Sequence, residues 1–213
     1  NRYQFPKRRG GEMNKNVLHY LAATGVTHYS VMPAWDTENL VKIRGKETPN
    51  KEAIEQAAQV AKLAHEGQTD KAGENYFTGH LTRVAKAVAE KGAIFEIAAL
   101  FHDIVEDTDW TIEDLSEDWD ARIIVAVDRL TKRSGEIYSD YMARLAAPYS
   151  YGRNELIERF LPRQDLRPFY IASSWRSDPN NDFWFYWGVE AAKAVKKADL
   201  EDHLRDTSPI SDS

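Results

Sequence analysis

The stretch Leu100-Phe-His-Asp-Ile-Val-Glu-Asp-Thr108 places a histidine and three acidic residues directly after an apolar run. Adjacent His102 and Asp103 can offer an imidazole nitrogen and a carboxylate oxygen to one divalent cation. A helical continuation would put Glu106 one turn beyond this pair and Asp107 one turn beyond Asp103. Such a cluster is costly without a cation nearby. The stretch therefore predicts a metal site at the end of an apolar helix; the alternative is a solvated helix end that carries a histidine by chance.

Two other segments offer further ligands. His80 opens a helical pattern that continues with Leu81, Val84, Ala85 and Val88. Asp199 lies beside an apolar stripe, where an unpaired acid would otherwise avoid the interior; the stripe consists of Ala191, Val195 and Ala198. Taken singly, His80 could satisfy a helix start and Asp199 could be exposed. Together with the His102–Asp103 pair they give the order His, His-Asp, Asp.

This order resembles the signature of the HD metal-dependent phosphohydrolase superfamily. The surrounding motifs resemble the hydrolase domain of the Rel/Spo alarmone enzymes, in order and approximate spacing, over roughly residues 52–207. The matching motifs are Ala64-His-Glu-Gly-Gln68, Lys71-Ala-Gly-Glu-Asn-Tyr76, His80, residues 102–108, Thr111-Ile-Glu-Asp-Leu115, Leu130-Thr-Lys132, Lys197-Ala-Asp199 and Arg205. The resemblance implies an all-α HD-domain helical bundle.

The resemblance also implies a set of site residues. The ligands of a divalent metal ion, most often Mn²⁺ in this family, would be His80, His102, Asp103 and Asp199. The acid/base pair that positions and deprotonates an attacking water would be Glu106 and Asp107. The positions at which the family contacts nucleotide or phosphate are Lys71, Lys132, Arg205 and His203.

The chain departs from the family pattern at several positions. The basic residue that usually precedes Lys71 is Asp70 here, and Leu81 stands in place of a proline. After Asp199 the chain reads Leu-Glu-Asp-His203 rather than the usual Arg-Leu-His-Asn, which puts the family's guanosine contact in doubt. These departures are predicted to lie around the substrate and to leave the metal ligands intact.

The function implied by the resemblance is that of a small stand-alone alarmone hydrolase of the stringent response. Such an enzyme removes the 3′-pyrophosphate of (p)ppGpp and yields GDP or GTP and pyrophosphate. We expect no synthetase activity, because 213 residues leave no room for that domain. The departures keep an alternative open, an HD-type nucleotidase that acts on a 5′-nucleotide, a deoxynucleoside triphosphate or NADPH. A non-catalytic nucleotide-binding regulator is a third possibility, against which the clustered carboxylates argue.

Composition excludes several classes of function. A net charge of −6 and a pI near 5.6 argue against nucleic acid as a partner, although a local cationic pocket can still hold a small phosphorylated nucleotide. The chain has no cysteine, which excludes disulfides and thiolate chemistry and fits a cytoplasmic protein. No apolar run approaches the about 20 residues needed to span a bilayer, and no signal peptide is evident. A homo-oligomer is possible.

Helical periodicity dominates from residue 52 onward. It predicts an N-terminal extension over residues 1–50 with a short helix near Val17, an HD domain over 51–207 and a tail over 208–213. Within the domain it predicts helices over 51–65, 93–107 and 138–147, another that Thr111 and Asp114 cap, and another that carries Ile123, Ile124, Val127 and Leu130.

An aromatic-rich insertion is predicted over residues 149–188 and ends in Phe183-Trp-Phe-Tyr-Trp187. It is interpreted as a small satellite core or oligomer contact, with a lid over the site as the alternative, because aromatic and arginine side chains grip nucleobases. Three other histidines have no carboxylate-rich sequence context and are predicted to be structural or at the surface: His19, His28 and His65.

Overall fold

The computed structural model of the protein describes residues 40–147 and 179–206. In chain order its elements are β1 (Leu40–Ile43), β2 (Lys46–Pro49), α1 (Asn50–Ala64), a π-helical turn (Phe77–Leu81), α2 (Thr82–Val88), a 3-10 turn (Ala89–Lys91), α3 (Ala93–Leu100), α4 (Ile104–Asp107), α5 (Ile112–Asp118), α6 (Ala121–Leu130), α7 (Tyr138–Ala146) and α8 (Pro179–Asp206). The predicted all-α fold is confirmed. The predictions for Val17, His19, His28, residues 149–178 and the tail 208–213 lie outside the described residues.

Helix α3 forms the centre of the bundle. All of its residues except Glu96 are buried, and a helix that is apolar on every side is covered on every side. It packs against α1, α2, α6 and α8. Because α3 is enclosed, the chain that leaves its C-terminal end at Phe101 and His102 is still inside the protein, and both side chains are buried.

The predicted helix over residues 93–107 is interrupted. Helix α3 ends at Leu100, residues 101–103 form a turn, and α4 begins at Ile104. The reason is a competing hydrogen bond, since the imidazole Nδ1–H of His102 donates to the Ala99 carbonyl at 2.7 Å. The backbone bonds resume when the N–H of Ile104 donates to the Phe101 carbonyl. The prediction of one continuous helix was wrong, and His102 and Asp103, the pair predicted to bind metal, lie in or beside the break.

Other predicted helices are confirmed with small shifts in their ends. Helix α1 covers the expected segment, and α6 and α7 follow as the apolar spacing indicated. Helix α5 starts with the expected capping box, in which Thr111 Oγ1 accepts from the Asp114 N–H and the Asp114 carboxylate accepts from the Thr111 N–H.

A short antiparallel hairpin of β1 and β2 was not predicted. Its strands have four residues each, too few for an alternating pattern to stand out. Val41 and Ile43 are buried, and Ile43 pairs with Trp119 at the end of α5. The N–H of Lys42 donates to the Asp120 carboxylate at 3.3 Å. The hairpin therefore packs on the bundle at the junction of α5 and α6.

Helix α8 is in close contact with α6 at Gly188. A Cβ atom at this position would lie 2.5 Å from Val125 Cβ and 2.9 Å from the Arg122 carbonyl oxygen. Tyr186 and Trp187, the end of the aromatic segment, belong to this helix, and the Trp187 ring packs edge-on against Phe95 at 6.0 Å. This end of the segment thus joins the main core.

None of the helices in the two described ranges is long and apolar enough to cross a membrane.

Replacing Gly188 by alanine tests how closely α8 and α6 pack. We expect a loss of about 1–3 kcal/mol in the free energy of unfolding, because an inserted methyl group forces the helices apart. This loss would exceed the gain of about 1 kcal/mol that alanine brings to a helix. Urea unfolding measures it. Lys193→Ala, at a half-exposed position on the same helix, is the control and should change stability by no more than about 0.5 kcal/mol. A more stable Gly188→Ala protein would contradict the close packing.

Candidate metal centre

Four side-chain donor atoms converge in the interior next to the end of α3. His80 Nε2, from the π-helical turn, lies 3.2 Å from His102 Nε2. Asp103 Oδ2 lies 2.9 Å from His102 Nε2, and Asp199 Oδ1, from α8, lies 3.4 Å from His80 Nε2. Single donor atoms of His80, His102 and Asp199 all lie within 4.8 Å of one another. The structure brings together all four residues expected to bind metal.

The hydrogen bonds of the two imidazoles determine which ring nitrogens face this space. His80 Nδ1 lies 2.9 Å from the Asp202 carboxylate, and His102 Nδ1 lies 2.7 Å from the Ala99 carbonyl. Both partners can only accept while Asp202 is ionised, so both Nδ1 atoms carry the hydrogen. The two Nε2 atoms then face each other, and a shared cation, either a proton or a metal ion, stabilises that arrangement.

The carboxylates add to this concentration of lone pairs. Asp199 is buried, and its Oδ1 accepts no hydrogen bond among the residues that the structure describes. Burial opposes a charge on His102, but Asp103 and Asp199 outweigh burial and raise the pKa of His102 to about 10. Burial opposes ionisation of Asp103 as well, yet His102 and His80 hold its pKa well below the ordinary value. The cluster thus favours added positive charge, and two imidazole nitrogens with two carboxylate oxygens suit a divalent cation.

Two residues that the sequence analysis did not single out hold the carboxylates in place. The Tyr76 hydroxyl donates to Asp103 Oδ2 at 2.5 Å. Lys196 Nζ donates to Asp199 Oδ2 at 2.8 Å and leaves Oδ1 facing the histidines. Lys196 lies three residues before Asp199 on one helix, so the i,i+3 spacing could have identified it. Tyr76 stands within a matched motif, but sequence spacing alone does not join it to Asp103.

His80 reaches the cluster from a π-helical turn, not from the first turn of an ordinary helix. The turn comprises Phe77–Leu81 and passes directly into α2. Turns of this kind occur often at functional sites. Gly79 within the turn is buried, and a Cβ atom there would collide with the Asp70 carboxylate. The close approach of the preceding loop therefore requires glycine next to His80.

Glu106 and Asp107 lie at the exposed rim of the cluster, on α4. Glu106 Oε1 accepts from the Lys132 backbone N–H at 2.7 Å. Partial burial raises the pKa of Glu106 above its ordinary value; the Lys132 hydrogen bond opposes this shift and the Asp103 charge adds to it. Partial burial and the Asp103 charge likewise raise the pKa of Asp107, while nearby histidines lower it. Two carboxyl groups with raised pKa values thus stand beside the four donors.

His65 is buried and has a structural role. Its Nδ1 lies 2.8 Å from Gln68 Oε1, and Gln68 Nε2 donates to the Asp107 carbonyl at 2.8 Å. These bonds join the end of α1 to the end of α4. They agree with the interpretation of His65 as structural.

The residues expected to contact substrate occupy different surroundings. Lys71, Lys132 and Arg205 are exposed. His203 instead lies against the cluster, where its ring stacks on that of His80 with 5.0 Å between centroids and 2° between planes. Its Nδ1 is 3.5 Å from Asp199 Oδ1. Burial lowers the pKa of His203; the Asp199 charge opposes this shift, and the charges of Lys71 and His80 add to it.

The departures from the family pattern do not lie around the substrate alone. Asp202 accepts from the Nδ1–H of His80, and His203 contacts both His80 and Asp199. The expectation that these changes stay away from the metal ligands was wrong. A single sequence could not reveal this, because residues 202 and 80 meet only in the folded chain.

Comparison with known proteins finds several relatives by sequence. No family model matches the chain. A guanosine-3′,5′-bis(diphosphate) 3′-pyrophosphohydrolase of Vibrio cholerae is 42% identical over 86 residues, which is 39% of this chain and 12% of that protein. One of Aquifex aeolicus is 39% identical over 166 residues, 77% of this chain and 22% of that protein. A GTP pyrophosphokinase of Streptomyces coelicolor is 41% identical over 88 residues, 40% of this chain and 10% of that protein.

The chain thus matches only about a tenth to a fifth of the length of these relatives. One solved structure is described as a metazoan ortholog of SpoT that hydrolyzes ppGpp. Its alignment covers 73% of this chain and 96% of the solved chain, with 17% sequence identity and a TM-score of 0.39. Likeness at that level supports no structural conclusion. The sequence matches confirm the resemblance to the Rel/Spo alarmone hydrolases that the motifs indicated.

Replacing a ligand tests the metal centre directly. We expect His102→Ala and Asp199→Ala to bind Mn²⁺ more than about 100-fold more weakly than the parent protein, since loss of a ligand costs more than loss of its supporting contacts. Calorimetric titration of the metal-free proteins measures the affinity, and circular dichroism checks folding. Asp109→Ala removes an exposed carboxylate nearby and serves as the control. Unchanged Mn²⁺ affinity in both ligand variants would show that the ion binds elsewhere.

Proposed function

We propose that this protein is a metal-dependent hydrolase that removes the 3′-pyrophosphate from guanosine tetra- or pentaphosphate and yields GDP or GTP. The observation that carries the proposal is the convergence of four lone-pair donors, from His80, His102, Asp103 and Asp199, beside two carboxyl groups with raised pKa. The names of the relatives from Vibrio cholerae and Aquifex aeolicus supply the substrate.

We propose Mn²⁺ as the ion. Two imidazole nitrogens and two carboxylate oxygens form a borderline donor set, which suits first-row divalent metals better than Mg²⁺ or Ca²⁺, which prefer oxygen. A divalent ion held there would supply Lewis acidity and lower the pKa of water.

Glu106 is the residue we propose to accept the proton of the attacking water. A raised pKa makes a carboxylate a stronger base at neutral pH, and Glu106 has that property through its partial burial and the neighbouring Asp103 charge. The hydrogen bond from the Lys132 N–H engages Oε1, so Oε2 is the oxygen we assign to water. Asp107, one residue on, would help to orient the same water.

The substrate carries several phosphates, and we propose that exposed cations at the site hold them. Three cationic side chains are exposed: Lys71, Lys132 and Arg205. Their charged groups can therefore contact phosphate oxygens without first being buried. His203 lies closer to the cluster than these three and would face the ribose or the nearest phosphate. The proposed partner is thus this small nucleotide; a cytoplasmic location and an oligomer stay predictions.

Glu106→Gln separates proton transfer from metal binding. Glutamine keeps the size of the side chain and its bond to Lys132 but is a negligible base, so turnover should fall by ~10²–10⁴-fold. Mn²⁺ affinity should stay within a few-fold of the parent value. The assay is steady-state hydrolysis, with Glu113→Gln on α5 as the control. A variant that turns over normally would move the role of base away from Glu106.

The products of ppGpp identify the bond that is cut. We expect GDP and intact pyrophosphate, because positioning must bring the 3′ phosphorus within ~3–3.5 Å of the attacking water. Anion-exchange chromatography of the Mn²⁺-loaded reaction resolves the products. A panel of 5′-nucleotides, deoxynucleoside triphosphates and NADPH runs beside it, since Asp70 and His203 differ from the family pattern. Turnover of the panel with ppGpp untouched would contradict the proposed substrate and leave the metal centre intact.

A further inference from the structure

We propose that Asp202 and Arg83 form a positioning pair that orients His80 for metal binding, and that Asp70 couples this pair to the loop carrying Lys71. The inference rests on the proposed metal centre and adds to it three residues that none of the motifs marks as ligands or catalytic groups.

Asp202 makes the contact that orients His80. Its side chain is only 5% exposed, and its Oδ2 accepts from His80 Nδ1 at 2.9 Å. A carboxylate at this position keeps the hydrogen on Nδ1 and directs the Nε2 lone pair toward His102 and the other donors. It also makes the imidazole a stronger ligand by stabilising the positive charge that the ring gains on binding a cation.

Arg83 holds Asp202 in that orientation. Its Nε donates to Asp202 Oδ1 at 2.6 Å and its Nη2 donates to Oδ2 at 2.9 Å. Two parallel bonds between a guanidinium and a carboxylate fix both planes. The cation also offsets the repulsion between Asp202 and the carboxylates of the metal centre. Without Arg83, the carboxylate would lose both its orientation and its charge balance.

Asp70 links this pair to the loop before the π-helical turn. Arg83 Nη2 lies 3.5 Å from Asp70 Oδ2, and the Asp70 side chain packs against Gly79. Its Oδ1 accepts from the N–H groups of Ala72 and Glu74 at 3.0 and 2.9 Å. The same carboxylate therefore shapes the turn that presents Lys71 and touches the cation that supports His80.

Asp70 and Asp202 are related by their positions in the Rel/Spo sequence pattern. Asp70 and Asp202 both stand where the Rel/Spo pattern has other residues, and the fold brings both to the same arginine. Two departures that meet on one cation are explained together as parts of one network. A purely structural ion pair would affect the stability of the fold, whereas a positioning pair must also affect the affinity for the ion.

Metal affinity in variants of the pair distinguishes the two roles. Asp202→Asn keeps the shape of the side chain but places an amide N–H₂ against the donors of Arg83 or His80. We expect its affinity for Mn²⁺ to fall by about 10–100-fold, measured by electron paramagnetic resonance of free Mn²⁺ over the metal-free protein. Glu201→Gln, the neighbouring exposed residue on α8 that pairs with Lys197, is the matched control and should bind as the parent does.

Arg83→Lys tests the pair from the other side. Lysine keeps the charge but cannot make two parallel bonds, so we expect a smaller loss of Mn²⁺ affinity in a protein that still folds. Its control is Lys86→Met, which removes an exposed cation from the same helix. Urea unfolding of every metal-free variant shows whether folding is retained. If Asp202→Asn does not fold, the Mn²⁺ affinity of Arg83→Lys alone decides the test.

The outcomes separate this inference from the metal centre itself. Weaker Mn²⁺ binding in folded Asp202→Asn or Arg83→Lys, with both controls unchanged, supports the positioning pair. Parent-like Mn²⁺ affinity in both variants overturns it and leaves the metal centre standing. A parent protein that binds no Mn²⁺ overturns the metal centre and this inference together.

Discussion

The convergence of two imidazoles and two carboxylates inside the protein is the constraint on which this structure depends. The hydrogen bonds of His80 and His102 direct both Nε2 atoms into a space that already contains carboxylate oxygens of Asp103 and Asp199. Nothing about the apolar packing of α3 requires such an arrangement, and without positive charge it destabilises the fold. The surrounding contacts are best understood as means of holding these groups together.

Those contacts come from every side of the cluster. Tyr76 and Lys196 each hold a carboxylate, the break after α3 lets His102 bond to its own helix, and Asp202 holds His80. Gly188 allows α8, the helix that carries Asp199, to approach α6 closely. The centre is thus fixed by packing that extends well beyond the residues able to bind an ion.

The sequence predicted the helices of the core from local apolar spacing, and it predicted the residues of the centre from their resemblance to the Rel/Spo motifs. Apolar spacing marked α1, α6 and α7, and the order of His80, His102–Asp103 and Asp199 marked the donors. It could not predict the break at residues 101–103, since a side chain there displaces a backbone hydrogen bond, or the π-helical turn, where the loop at Asp70 closely approaches Gly79. The sequence also did not predict the contact of Asp202 with His80, because that contact joins segments far apart in the chain.

The donors come from three parts of the chain that are widely separated in sequence, namely residue 80, residues 102 and 103, and residue 199. An ion that binds all of them cross-links these parts of the chain and closes a long loop. The unfolded chain does not hold the donors together, so it binds the ion much more weakly than the folded protein does. The free energy of binding then becomes part of the free energy of folding. Supply of the metal would therefore control how long each molecule survives proteolysis, as well as whether it can act.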